Sequence, residues 1–177
     1  MWSIEYSNVV PDMLTWGKGM GGDLPMAGLT FRADFADSLV AASHPGTFAG
    51  NALSSAVCMT NIGILTDKNY DLMGRAAKLG EEIKARLWEG AKNIRIIGDV
   101  RGRGLFIGVE LVKDKETKEP IDGSVMGKIL SELLSRGVIA VPCGRYGTVV
   151  RFMPPLTITK EYLEKATDIL LRVCKEL

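Results

Sequence analysis

Apolar positions change their spacing three times along the chain. Over the first fifty residues no period is sustained, because Gly17, Gly19, Gly21, Gly22, Pro25 and Gly28 interrupt it. Two short apolar runs, Met13 to Trp16 and Ala27 to Phe31, predict strands, and "RADFADSL" predicts a short helix opened by its acidic residues. From Phe48 onward, Ala49, Ala52, Leu53, Ala56, Val57, Thr60 and Ile64 fall at helical spacing and predict a long helix to about Leu65. A second helix is predicted from Tyr70 to Glu89, with Leu72, Ala76, Leu79, Ile83 and Leu87 on one face. The period then shortens. "IRIIGDV" and "LFIGVELV" read as strands joined by "RGRG", and "KDKETKEPIDG" as a charged surface loop. Ser124 to Arg136 reads as a helix with Val125, Met126, Ile129, Leu130, Leu133 and Leu134 inward. "VIAVP" and "TVVRF" are further strands. A last helix follows Thr159, a hydroxyl N-cap, and runs to about Lys175 with Leu163, Ala166, Ile169, Leu170 and Val173 buried.

This pattern divides the chain. Residues 66–177 read as a compact α+β unit of three or four strands with helices on one face, whereas residues 1–65 are rich in glycine and loops. Hydrophobic residues make up 46% of the 177, enough for a buried core. Lysine plus arginine number 22 against 21 acidic residues, so no charge excess points to nucleic acid or a membrane surface. Three widely spaced cysteines, Cys58, Cys143 and Cys174, form neither a metal pattern nor a disulfide framework and suit a reducing, cytoplasmic setting. No apolar run is long enough to span a membrane. The opening "MWSIEYSNVVPD" lacks the basic and apolar regions of a secretory leader.

The chemistry concentrates at Lys18, one lysine among five glycines in "TWGKGMGGDLPMAG". A phosphate-cradling loop needs an upstream glycine and a Ser or Thr after the lysine. Here Gly19 follows, so that reading fails. Two others stay open on the residues alone. Lys18 is a solvated loop lysine, or it is an amine that forms a Schiff base, with Trp16, Met20, Leu24 and Met26 as an apolar wall and glycines that let a planar cofactor approach.

The longer segment "PDMLTWGKGMGGDLPMAG" resembles the cofactor-lysine motif of the class III aminotransferases, which include the 4-aminobutyrate and ornithine enzymes. Asp12, Thr15, Gly17, Lys18, Gly19, Gly22 and Pro25 match it, with Asp23-Leu24 lengthening the Gly-x-Pro spacing by one residue. Three further segments follow in the family's order: "HPGTFAGNALSSA", "VRGRGLFIGVEL" and "VVRFMPPLTIT". The resemblance implies an α/β, fold-type-I aminotransferase architecture: part of a large domain over 1–65, with the lysine loop and the start of an interdomain helix, and a C-terminal small domain over 66–177.

It also implies roles. Lys18 would form the internal aldimine with pyridoxal 5'-phosphate and then shuttle a proton. Thr47 would donate its hydroxyl to the cofactor phosphate, into the site of a partner copy in a homodimer. Read without the resemblance, Thr47 is a helix N-cap, and the helix start at Phe48 an anion site. Arg151 would grip the substrate carboxylate with its planar fork; its plain reading is a surface salt bridge. Ser43 and His44, the latter the one histidine, lie nearby, with His44 read as a structural donor. Arg101 and Arg103 read as surface-paired arginines, and Cys143 as a small buried thiol rather than a reactive one. No metal is expected.

Family members are longer. In them a pyridine-nitrogen aspartate, a ring-stacking aromatic and a phosphate loop precede the lysine, and none can be assigned here. The expectation is therefore the C-terminal part of such an enzyme. Its substrates would be an amino acid and a 2-oxo acid, with racemisation as the alternative within the family. A separately encoded N-terminal half could complete it. A non-catalytic, self-associating remnant is the alternative outside the enzyme class.

Overall fold

The computed structural model describes residues 1–40 and 46–177, and the chain divides into two compact units, Met1–Asp71 and Leu72–Leu177.

The first unit is built around one hairpin. Strands β1 (Met13–Gly17) and β2 (Ala27–Phe31) pair antiparallel, with Met13 opposite Phe31 and Gly17 opposite Ala27. Trp16 faces Gly28 across the pair, and a Cβ on Gly28 would lie 2.0 Å from the indole, so only glycine lets the ring cross there. The indole N–H donates to Thr30 Oγ1 at 3.1 Å. Arg32 fastens the open end through Asp12 (3.0 Å) and Asp34 (2.7 Å). Between the strands, Lys18–Gly21 forms a single 3₁₀ turn. The acid-rich "ADFADS" segment, Ala33–Ser38, is likewise 3₁₀.

Helix α1 spans Ala52–Thr66 and so begins four residues later than its apolar spacing predicts. The reason is local. Gly50 has φ +70, a left-handed value that an α-helix cannot contain. Asn51 follows with non-helical angles (φ -53, ψ 122) and caps the helix, its side chain accepting from the Ser54 N–H at 3.0 Å. Of the helix residues only Cys58 is buried; Leu53 and Ile64, two of the apolar positions at helical spacing, are exposed.

The second unit holds the main core. Helix α2 (Leu72–Ala91) is followed by β3 (Ile97–Arg103), β4 (Phe106–Leu111), α3 (Gly123–Ser135), β5 (Val141–Cys143), β6 (Val149–Phe152) and α4 (Lys160–Lys175). The strands form an antiparallel sheet in the order β3-β4-β6-β5. Alternation decides its faces. Val100, Ile107, Val109, Leu111, Val150 and Phe152 join Leu79, Ile83 and Leu87 of α2, Ile129 and Leu133 of α3, and Leu163 and Leu170 of α4 in one core. Each such side chain contributes roughly 1.5–3 kcal/mol on burial. Leu134, expected inward, is exposed. Thr159 does cap α4, accepting from the Tyr162 N–H at 3.4 Å.

Glycines allow α2 to lie close against the β3–β4 hairpin. A Cβ on Gly80 would sit 2.1 Å from the Gly104 carbonyl oxygen, and Gly104 turns the hairpin at φ +51. Lys84 adds a bond from its ammonium to the Gly102 carbonyl at 3.0 Å.

Candidate active site

Lys18 follows directly on β1, at the first position of the 3₁₀ turn. Its φ is +57, in the left-handed region that costs a residue with a Cβ roughly 1–2 kcal/mol. Its amine makes no hydrogen bond or ion pair with the described residues. The side chain lines an open depression of about 890 Å³ with Thr15, Trp16, Asp23, Leu24 and Pro25. Held strain and an unpartnered amine at the mouth of a concavity are features of functional positions.

The turn is fixed from the helix. Asn61 of α1 donates from Nδ2 to the carbonyls of Gly19 (3.3 Å) and Met20 (3.1 Å). Gly22, at φ +61, lets the chain pass this contact; a Cβ there would lie 3.3 Å from Val57 and 3.4 Å from the Asn61 amide. Met20 and Cys58 are buried. Asn61 is absent from the sequence-based set of site residues. The available signal was an amide four residues after Val57, on a row of α1 otherwise made of small and apolar side chains.

Thr47 lies in a turn before α1 and is not its N-cap; Asn51 takes that role, because Gly50 keeps the helix from starting at Phe48. The anion site expected at a Phe48 helix start is displaced with it. The turn residues Phe48–Asn51, with Ser54 and Ser55, border a cavity of about 230 Å³. Its far wall, Pro25–Ala27, is shared with the Lys18 depression, so the two concavities adjoin within the first unit. Ser43 and His44 lie outside the described residues.

Arg151 belongs to the second unit, on β6. It pairs with Gly108 on one side and Val141 on the other, on the sheet face opposite the core. It is half-buried and has neither an ion pair nor a side-chain hydrogen bond among the described residues. Arg101 occupies the same row, opposite Gly108 from β3, and differs sharply. It donates to Asp99 at 2.7 Å and to Glu110, and these two carboxylates raise its pKa further. One guanidinium of the row is thus neutralised and the other is open. The segment after Arg151 is held by Arg75 of α2, which donates to the carbonyls of Leu156 and Ile158. Arg151 through Pro155 also border a groove of about 510 Å³ with Tyr162 and Lys165 of α4. Arg103 is exposed.

The cysteines are all free. Cys143 is half-buried rather than buried, while burial pushes the Cys174 thiol up to about 12. Among the described residues no group of three or more His, Cys, Asp or Glu is placed to hold a metal ion, and no helix is long and apolar enough to cross a membrane.

The family model described as "Aminotransferase class-III" matches residues 1–174. The leucine/methionine racemase of Thermococcus litoralis is 39% identical over 175 residues, 99% of this chain and 38% of that protein. The 4-aminobutyrate aminotransferase of Mycobacterium leprae is 38% identical over 173 residues, 98% of this chain and 38% of that protein. Among solved structures, the ornithine aminotransferase of Toxoplasma gondii, described with pyridoxal phosphate partially occupying its active site, superposes with a TM-score of 0.81. It is 30% identical, and the match covers 97% of this chain and 38% of that one. The chain therefore spans 38% of the length of the curated relatives it is compared with here. The α/β arrangement is that of the fold-type-I aminotransferases, and the chain belongs to the class III aminotransferase family.

Proposed function

We propose that this chain supplies the cofactor-bearing lysine and the substrate-carboxylate site of a pyridoxal 5'-phosphate enzyme that moves an amino group from an amino acid to a 2-oxo acid. The observation that carries the reading is Lys18: a lysine in the left-handed region, on a one-turn helix, with an unpartnered amine facing a concavity. The residues present fit the cofactor. A free primary amine suits an aldehyde, and the depression that Lys18 lines is open. Lys18 would hold the cofactor through Nζ. Thr47 would donate its hydroxyl to the phosphate, into the site of a second copy. The cofactor, when bound, supplies the electron sink that stabilises negative charge on the carbon next to the substrate nitrogen.

This chain's own residues would do the rest. Once the substrate amine has replaced it, Lys18 Nζ would take the proton from that carbon and return it elsewhere. Arg151 would orient the substrate by a two-point bond to its carboxylate, which a lysine cannot make. Its open guanidinium, beside a neutralised Arg101, favours this role. The amine donor would be 4-aminobutyrate, ornithine or a similar amino acid, with the chain acting as part of a self-associating enzyme.

A second reading rests on the racemase at 39% identity. Returning the proton to the substrate carbon, rather than to the cofactor, would give racemisation with the same lysine. Incubation in deuterium oxide separates the two. Transfer from an ω-amine leaves an aldehyde and converts the 2-oxo acid acceptor to an amino acid; racemisation of an α-amino acid yields both enantiomers deuterated at the α-carbon and consumes no 2-oxo acid. The first test needs no substrate. Added pyridoxal 5'-phosphate should produce the visible absorbance of the lysine-bound cofactor, lost in Lys18→Ala. Absence of that absorbance in the parent chain sinks the reading for this chain alone.

A further inference from the structure

We propose that Asn61 is the positioning residue for Lys18, clamping the turn that keeps the lysine in its left-handed conformation; this rests on the cofactor-lysine reading above.

The turn Lys18–Gly21 is a single one, and a helix of one turn has no cooperative stability of its own. Its internal support among backbone groups is slight: the Gly22 N–H donates to the Gly19 carbonyl at 3.2 Å and the Leu24 N–H to Gly21 at 3.0 Å. Both strands around it are five residues long. Left to these contacts, the strain at Lys18 would relax by rotation of the neighbouring peptide planes. Asn61 holds the two peptide planes that come next, Gly19–Met20 and Met20–Gly21, and so fixes the course of the turn into which Lys18 would otherwise relax. Two carbonyl oxygens converge on it, from Gly19 at 3.3 Å and Met20 at 3.1 Å, and carbonyls only accept. The amide NH2, with two hydrogens, is therefore the group facing them, and turning either peptide plane breaks one bond. The clamp is anchored on α1, a helix of fifteen residues, and bridges 42 positions of sequence to Gly19.

Packing alone does not require an amide here. Met20 of the turn is already buried and Val57 of α1 lies beside Gly22, and an aliphatic residue at 61 would extend that apolar surface. What an aliphatic residue cannot do is satisfy the two carbonyls, one of which lies in a partly buried bond. Asn61 is thus chosen for orientation. Its amide is engaged by the two turn carbonyls, so it would act on Lys18 through the loop.

The test uses the whole chain and two readouts. Asn61→Asp keeps the shape but sets an anionic oxygen against two carbonyl oxygens. Asn61→Leu removes the donors. Val57→Ala is the packing control, since Val57 meets the same loop at Gly22 without a hydrogen bond. Asn61→Gln, which keeps the amide, covers the event that the other variants do not fold, and should restore part of the effect. Hydrogen exchange is read at the Gly22 and Leu24 amides. Both Asn61→Asp and Asn61→Leu should speed it about ten-fold or more, with the α1 amides unchanged. The second readout is the initial rate at which borohydride fixes pyridoxal 5'-phosphate on Lys18, across pH. It should fall by a similar factor in the same two variants and not in Val57→Ala. Unchanged loop exchange overturns the clamp. Faster exchange with an unchanged Lys18 rate profile overturns the positioning role. Absence of the Lys18 adduct in the parent chain instead defeats the cofactor-lysine reading, and the positioning role with it.

Discussion

Substituting Gly80 by alanine adds one methyl group where α2 crosses the β3–β4 hairpin backbone to backbone. That Cβ would lie 2.1 Å from the Gly104 oxygen, 2.4 Å from its carbonyl carbon and 2.8 Å from its Cα. All three are backbone atoms, so no side chain can swing aside. An ordinary contact needs roughly 3.5 Å, so α2 and the hairpin must part by about 1 Å or more. The hairpin resists, because Gly104 turns it at φ +51 and the Lys84 ammonium fastens Gly102. Overpacking of this kind costs about 1–3 kcal/mol, here toward the upper end because backbone must move. Alanine returns about 1 kcal/mol of helix propensity, leaving a net loss of ~2 kcal/mol. Gly127, exposed within α3 with nothing within 4 Å of an added Cβ, is the counterpart. There the propensity gain stands alone, and alanine should stabilise by roughly 0.5–1 kcal/mol. Urea unfolding followed by circular dichroism reads both. Midpoints should move in opposite directions and differ by about 1–3 M, given slopes of roughly 1–3 kcal/mol/M. Two stabilising substitutions, or two equal ones, would refute the close-crossing argument and with it the reason why the sheet bearing Arg151 sits where it does on α2.

Arg151→Lys should weaken carboxylate binding by about ten-fold or more while leaving the cofactor absorbance intact, because one of two charge-assisted bonds is lost; titration with a 2-oxo acid checks it. The acid limb of stability should depend on Asp168, whose carboxyl the hydrogen bonds from Arg86 hold below its ordinary value of 3.8. The unfolded chain then takes up that proton first as pH falls. The pair's stabilisation is present above pH 3.8 and lost on descent below it, so Asp168→Asn should flatten the melting-temperature profile in that acid range. A thiol reagent at neutral pH should modify half-buried Cys143 first, and Cys58 and Cys174 only on unfolding, as peptide mass mapping would show. Asn51→Ala should destabilise α1 by roughly 1 kcal/mol, detectable as faster exchange of the Ser54 amide, whereas Thr47→Ala should leave that amide unchanged.

Legibility followed the strength of local signals. Helices α2 and α4 carry a strict apolar stripe, and their inward residues Leu79, Ile83, Leu87, Leu163 and Leu170 are where the spacing puts them. Thr159 is legible because a hydroxyl directly before a periodic segment has one obvious use. Helix α1 is harder. Its apolar spacing marks a face, but burial requires an opposing surface, and in the first unit what α1 packs on is chiefly the lysine turn. Hence Leu53 and Ile64 are exposed. Its start is misplaced because Thr47 and Asn51 are both competent caps, and only the backbone angle of Gly50 decides between them. The motifs point to Lys18 and Arg151 directly. Asn61 escapes them, because an amide 42 residues from its acceptor leaves no mark on local spacing. The open state of Arg151 is likewise a matter of strand register: Gly108 separates it from Arg101, and Asp99 and Glu110 go to Arg101.

The central claim is that Lys18, of all the lysines in the chain, is the covalent cofactor position. Brief exposure to stoichiometric pyridoxal 5'-phosphate, reduction with borohydride, digestion and mass spectrometry test it directly. The pyridoxyl group should be found on the peptide containing Lys18, in clear excess over every other lysine, and should not shift to a neighbouring lysine in Lys18→Ala. Label spread evenly over exposed lysines such as Lys68, Lys78 and Lys128, with none favoured at Lys18, would contradict it.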